Sequence, residues 1–77
     1  MRRDAKAIST FIVGWLEEQL GQQVSAEAEF AALGIDSLDA VRLTDSLAAQ
    51  LGIDDLPVAL MLEHPSIPAL STHLATL

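Results

Sequence analysis

The chain has 77 residues, enough for one small domain with an economical core, and 51% of them are hydrophobic, which points to a folded chain rather than a disordered one. It contains no cysteine, so neither a disulfide framework nor a thiolate metal site is available. Eleven acids against four bases give a net charge of −7, which argues against nucleic acid or an anionic membrane as partner and favours docking on basic protein surfaces.

Met1-Arg2-Arg3 followed by the apolar stretch Ile8 to Leu16 has the outline of a secretion signal. The stretch is short, however, and is broken by Ser9, Thr10 and Gly14. Asp4 lies in the would-be basic region, and Glu17-Glu18 follow. A signal peptide and a membrane span are both rejected, and the cytoplasm is the expected location. Residues 1–3 read as a flexible leader. From about Asp4 to Leu20, the apolar residues Ile8, Phe11, Ile12, Trp15 and Leu16 recur at helical spacing. Asp4 supplies a start signal and Gly21 a stop. Trp15 is expected in the core.

Gln22 to Asp36 is a long connection, of the kind that is either functional or pinned by apolar plugs. Val24, Phe30 and Leu33 are spaced to anchor it, and Ser25 with Glu27 and Glu29 suggests a turn of helix. A second helix is expected from Ser37 to about Leu51, stopped by Gly52. At about 100° per residue, Ala40, Leu43, Leu47 and Leu51 share its core face. Leu38 and Val41 fall away from that face, beside Arg42 and Asp45. Either neighbouring loops cover them or they form a small docking patch rimmed by charge.

Asp54-Asp55-Leu56-Pro57 is expected to cap and open a short third helix running to about Glu63, with Leu56, Leu60 and Met61 facing inward. Pro65 ends it and holds His64 extended. Ser66 then caps a last helix from Ile67 to about Thr76, with Ile67, Leu70, Leu74 and Leu77 as its apolar stripe. The fold class is therefore all-α: a four-helix bundle with a short third helix and a long loop between the first two. No repeat or low-complexity segment interrupts it.

Leu33-Gly34-Ile35-Asp36-Ser37-Leu38 is the stretch with chemical content. A loop ends there and a helix begins. Asp36 can cap the helix, with Asp39 completing something close to a capping box. Ser37 would then occupy the first helical position with a hydroxyl the backbone does not need. Helix starts favour negative charge, so such a serine is well placed to carry a phosphate ester. Ser is itself a preferred cap, and spacing alone leaves that assignment open.

The same residues resemble the attachment motif of acyl carrier proteins, whose serine takes a 4′-phosphopantetheine arm. The resemblance extends over Phe30-x-x-Leu33-Gly34-Ile35-Asp36-Ser37-Leu38-x-Ala40-Val41-x-Leu43. It continues through Leu56-Pro57-x-x-Leu60-x-x-Glu63-His64-Pro65-x-Ile67-x-Ala69-Leu70-x-x-His73-Leu74, where it is closest to carriers of polyketide synthases. It implies a single acyl carrier domain over residues 1–77, acting as a monomer. Ser37 would receive the arm from coenzyme A through a phosphopantetheinyl transferase. Asp36 would serve as helix cap and in transferase recognition, and Leu38, Asp39, Val41, Arg42, Asp45 and Glu63 in docking. The partners implied are an acyltransferase or acyl-activating ligase, a ketosynthase and related synthase domains. Arg42 departs from the family pattern, since many fatty-acid carriers have an acid there; a positive charge at the docking edge should alter partner choice.

His64 and His73 are the only candidates for a general base, and they lie nine residues apart across a proline and a helix cap. No phosphate loop, metal-ligand cluster or nucleophile elbow accompanies them, so no catalytic role is assigned. Two other readings stay open. One is a peptidyl or aryl carrier of non-ribosomal synthesis, though Gly-Gly-His-Ser or Gly-Gly-Asp-Ser is commoner around the serine of those. The other is a helical interaction module in which Ser37 is only a cap.

Overall fold

In the computed structural model of the chain, which describes residues 1–77, four α-helices follow one another. They are α1 (Ala5–Leu20), α2 (Ser37–Leu51), α3 (Leu60–Glu63) and α4 (Ile67–Ala75). A single 3-10 turn, Phe30–Leu33, lies in the long loop. The only β-type pairing is an isolated antiparallel bridge between Glu29 and Ser66. The expected all-α arrangement with a short third helix is what forms, and none of its helices is long and apolar enough to cross a membrane.

α1 starts where the Asp4 carboxylate accepts the Ala7 N–H at 2.7 Å. Ile8, Ile12 and Leu16 form an i, i+4 line down its buried side. Leu43 and Leu47 of α2, and Ile67, Leu70 and Leu74 of α4, are buried with them in one cluster. α1 packs mainly on α4 and only lightly on α2. Phe11 and Trp15 are half-buried against the margin of the core rather than inside it, because they lie to one side of the 8–12–16 line. Leu77, expected on the α4 stripe, is exposed because the helix has already ended at Thr76.

The third helix is shorter than its sequence suggests. Its N-cap is Ala59, with no side-chain cap, so Asp54 and Asp55 cap nothing. The residue before a proline is driven to extended conformation, and Leu56 precedes Pro57. Single-turn bonds from Leu60 N to the Pro57 carbonyl and from Met61 N to the Val58 carbonyl, both 3.0 Å, lead into the helix instead. Leu56 and Met61 are buried, Leu60 is half-buried, and Leu62 is left in solvent.

The long loop is held at several points. Val24 N donates to Glu17 Oε2 at 3.0 Å, and Val24 and Phe30 are buried. Ser25 closes a tight turn with Ala28 rather than a turn of α-helix; the helical turn comes later, at Phe30–Leu33. Phe30 N then donates to the Pro65 carbonyl at 2.9 Å, and Ile67 N to the Ala28 carbonyl at 3.0 Å. These two bonds stitch the loop to the α3–α4 junction. Of the leader, Arg2 pairs with Asp4 at 3.3 Å in the open, a contact of small value. Arg3 is not free as expected: its guanidinium donates to the Leu51 carbonyl at the end of α2.

Two hydroxyls are buried. Thr44 Oγ1 donates back to the Ala40 and Val41 carbonyls, whereas Ser71 Oγ has no partner. An unpaired buried hydroxyl is destabilising. Ser71→Ala is therefore expected to stabilise the fold by about 1 kcal/mol, seen as a higher urea midpoint at unchanged slope. A lower midpoint would mean that the hydroxyl is satisfied.

Candidate functional site

The site is the junction between the long loop and α2. The 3-10 turn closes on Gly34, whose φ of 71° is in the left-handed region that favours glycine. Half-buried Ile35 holds the next residue against the core. Asp36 is extended, and its Oδ1 accepts the Asp39 N–H at 2.8 Å. The Asp36 carbonyl accepts Ala40 N at 3.1 Å, the first bond of the helix. Asp36 is thus the cap. Asp39 makes no return bond to it, so the capping box is only half formed.

Ser37 then occupies the first helical position. Its side chain is exposed and takes part in no hydrogen bond. Free N–H groups and the positive end of the macrodipole surround it, which suits an attached phosphate diester. The residues present therefore fit a phosphate-linked group on Ser37 Oγ: the nucleophilic oxygen is accessible, and removing its proton disturbs no structural bond.

Beside Ser37 an apolar cleft of about 430 Å³ runs between the loop, α2 and α3. Ile35, Ala40, Met61 and Leu62 are among its walls, and Asp36 and Ser37 stand at its rim. Leu38 and Val41 are 56% and 41% exposed, so no loop covers them. Arg42 and Asp45 are exposed on the same helix and Asp39 is half-buried. Glu63, at the end of α3, is exposed but lies off the cleft.

Sequence reasoning missed the cleft and two exposed apolar residues at its edge, Val58 and Leu62. A signal was available: Leu60-Met61-Leu62 are consecutive, and three adjacent residues on one helix cannot all face inward. It also missed that His64 and His73 stack, with ring centroids 4.1 Å apart and planes inclined by 18°. The stack places both rings at the α3–α4 contact, where they line a different hollow from the one beside Ser37.

Comparisons with known proteins agree with this geometry. The family described as "Phosphopantetheine attachment site" matches residues 10–74. The chain is 41% identical over 61 residues to Erythronolide synthase EryA2 of Saccharopolyspora erythraea, covering 74% of this chain and 2% of that protein. It is 33% identical over 67 residues to the non-reducing polyketide synthase phnA of Penicillium herquei, covering 83% of this chain and 3% of that one. The chain thus spans a very small part of either relative. Among solved structures it resembles BlmI, a type-II acyl carrier protein from Streptomyces verticillus involved in bleomycin biosynthesis. The TM-score is 0.82 at 25% identity, over 94% of this chain and 87% of that one. A free-standing peptidyl carrier protein from Acinetobacter baumannii shares the fold, with a TM-score of 0.86 at 21% identity over 96% and 95% of the two chains.

The chain belongs to the phosphopantetheine attachment family. The matched residues form a non-catalytic carrier domain: members of the family hold 4′-phosphopantetheine covalently and tether acyl intermediates for other domains to work on.

Two stability changes test the junction. Asp36→Ala should destabilise by about 0.5–2 kcal/mol, because a helix N–H loses its acceptor, whereas Ser37→Ala should fall within about 0.5 kcal/mol of the parent. Urea unfolding of both decides, and a larger loss for Ser37→Ala would reverse the cap assignment. Gly34→Ala should destabilise by about 1–2 kcal/mol through its backbone angle alone, since nothing lies within 4 Å of the added carbon.

Proposed function

We propose that residues 1–77 form one carrier domain of polyketide synthesis, modified on Ser37. The observation that carries this is the division of labour at the start of α2: Asp36 satisfies the backbone, and Ser37 Oγ is left exposed and unbonded. In the loading step Ser37 Oγ attacks the β-phosphorus of coenzyme A. The new O–P bond replaces the phosphoanhydride bond, adenosine 3′,5′-bisphosphate leaves, and the serine proton passes to a base of the phosphopantetheinyl transferase. The arm supplies a thiol, which this cysteine-free chain lacks, and the thiol holds an acyl group as a thioester.

What the chain itself contributes is placement. α2 holds Ser37 at a rigid corner, so a flexible arm fixed there raises the local concentration of its cargo at each partner active site. Asp36 keeps the corner in register. Leu38, Val41, Arg42 and Asp45 present one exposed helical face, with Asp39 on the same helix and Glu63 at the end of α3 adding negative charge. The partners are the transferase, an acyltransferase or acyl-activating ligase, a ketosynthase and related synthase domains, and the place of action is the cytoplasm. Two polyketide synthases at 41% and 33% identity support the polyketide assignment. The peptidyl carrier at 21% identity speaks only to the fold.

The test is intact mass after incubation with coenzyme A and a broad-specificity transferase. A gain of one phosphopantetheine is expected, absent in Ser37→Ala. No gain in the parent, or a gain that persists in Ser37→Ala, defeats the assignment. Loading with malonyl-type thioesters rather than aminoacyl groups would separate the polyketide from the peptidyl reading.

A further inference from the structure

We infer that the segment before α1 acts as a strap, fastened to α2 by Arg3, that controls how firmly α3 closes the cleft beside Ser37. The strap is a property of the unmodified chain and stands apart from the carrier reading.

The segment is held at its α1 end by Asp4, whose Oδ1 accepts the Ala7 N–H at 2.7 Å while Oδ2 pairs with Arg2 at 3.3 Å. Next to Asp4 in the chain, Arg3 turns the other way, and its guanidinium donates to the Leu51 carbonyl. No other hydrogen bond joins residues 1–20 to α2, and α1 packs on α2 only lightly. A helix end leaves its last carbonyls without partners, and the macrodipole favours a cation there. α2 has no base in its own last turn. Arg3, 48 residues away in sequence, supplies one. A single side chain thus does at this end of α2 what helix packing does elsewhere in the bundle.

The end of α2 is also the start of the connection to α3. Gly52 N and Ile53 N both donate to the Ala48 carbonyl, Ile53 at 2.9 Å. Beyond them, from Asp54 to Ala59, no backbone N–H donates to another backbone group. In the connection Ile53 and Leu56 alone lean on the core. α3 itself is one turn with no side-chain cap, and Pro57 and Pro65 flank it. Backbone that has few bonds and few buried apolar contacts opens most readily. The bonds at the Leu51 end are therefore the firm origin from which a loosely held segment departs. α3 gives Met61 and Leu62 to the cleft wall. Releasing Arg3 frees that origin, and the connection and α3 then open together. The device works at a distance, since Leu51 lies about 21 Å from Ser37 along the α2 axis.

Native-state hydrogen exchange of the full chain tests the strap. In Arg3→Gln the amides of Gly52 and Ile53, and those of Leu60 to Glu63, should exchange about tenfold faster, as expected for the loss of one charge-assisted hydrogen bond. The amides of Asp39 and Ala40, held by Asp36 at the other end of α2, should keep the parent's rates. Arg3→Lys retains a cation that can donate and should return most of the protection. Arg2→Gln, which removes only an exposed ion pair, should leave all of these amides unchanged. Parent rates at Gly52 and Ile53 in Arg3→Gln overturn the strap. Faster exchange there with Leu60 to Glu63 unchanged overturns its control of α3. A uniform rise across the chain, Asp39 and Ala40 included, overturns both, because a general loss of stability would do the same. An Arg3→Lys chain no better protected than Arg3→Gln overturns the role of the cation.

Discussion

The hydrogen bond from Asp39 N–H to the Asp36 carboxylate is the contact on which the rest of this molecule's use depends. A helix start needs an acceptor, and serine is one of the residues that can provide it. If Ser37 did so, its hydroxyl would be spent on structure. Placing the acceptor one residue earlier separates the two roles. The carboxylate holds the backbone, while the hydroxyl stands at the positive end of the dipole with nothing to hold. A nucleophilic oxygen is thereby exposed on a rigid element without any catalytic group to activate it, which is what a carrier requires and an enzyme does not.

That corner must stay in place although a fifteen-residue connection, Gln22 to Asp36, leads to it. Helix–helix packing does little for it, because α1 leans on α4 far more than on α2. The loop instead behaves as a fourth side of the bundle. Phe30 and Val24 plug into the core, and the bonds from Phe30 N to Pro65 and from Ile67 N to Ala28 fasten it to the α3–α4 junction. The Arg3 guanidinium closes the far end of α2. Each of these fixes main chain that would otherwise carry unpaired polar groups in a small domain. The position of Ser37 is in this sense set by residues on all sides of it, most of them distant in sequence.

The parts legible in the sequence were those ruled by local signals. Asp4 with Gly21, Asp36 with Gly52, and Ser66 bound α1, α2 and the start of α4 as their chemistry implies. The i, i+3 and i, i+4 lines through Ile8, Leu43 and Ile67 are the core. What was not legible depends on tertiary contact. The bridge between Glu29 and Ser66 has no periodic trace. Asp54 and Asp55 look like caps, but Pro57 delays the helix until Leu60. Trp15 lies on an apolar stripe and is still only half-covered, since no neighbour spans its outer edge. His64 and His73 lie nine residues apart with no signal linking them, and the fold stacks them on each other.

The same distinction applies to Leu62, which the fold leaves in solvent. A domain of this size has little core to spare, and each buried leucine is worth about 1.5–3 kcal/mol. Burying Met61 rather than Leu62 follows from helix geometry, because adjacent residues point about 100° apart. That geometry accounts for one of the two being outside; it does not account for which surface the exposed one joins. Leu62 emerges beside the cleft that Ser37 also borders, whereas Arg42, about 140° round α2 from the serine, stands on another face of that helix. The fold thus leaves Val58 and Leu62 uncovered at the edge of the cleft that Ser37 borders.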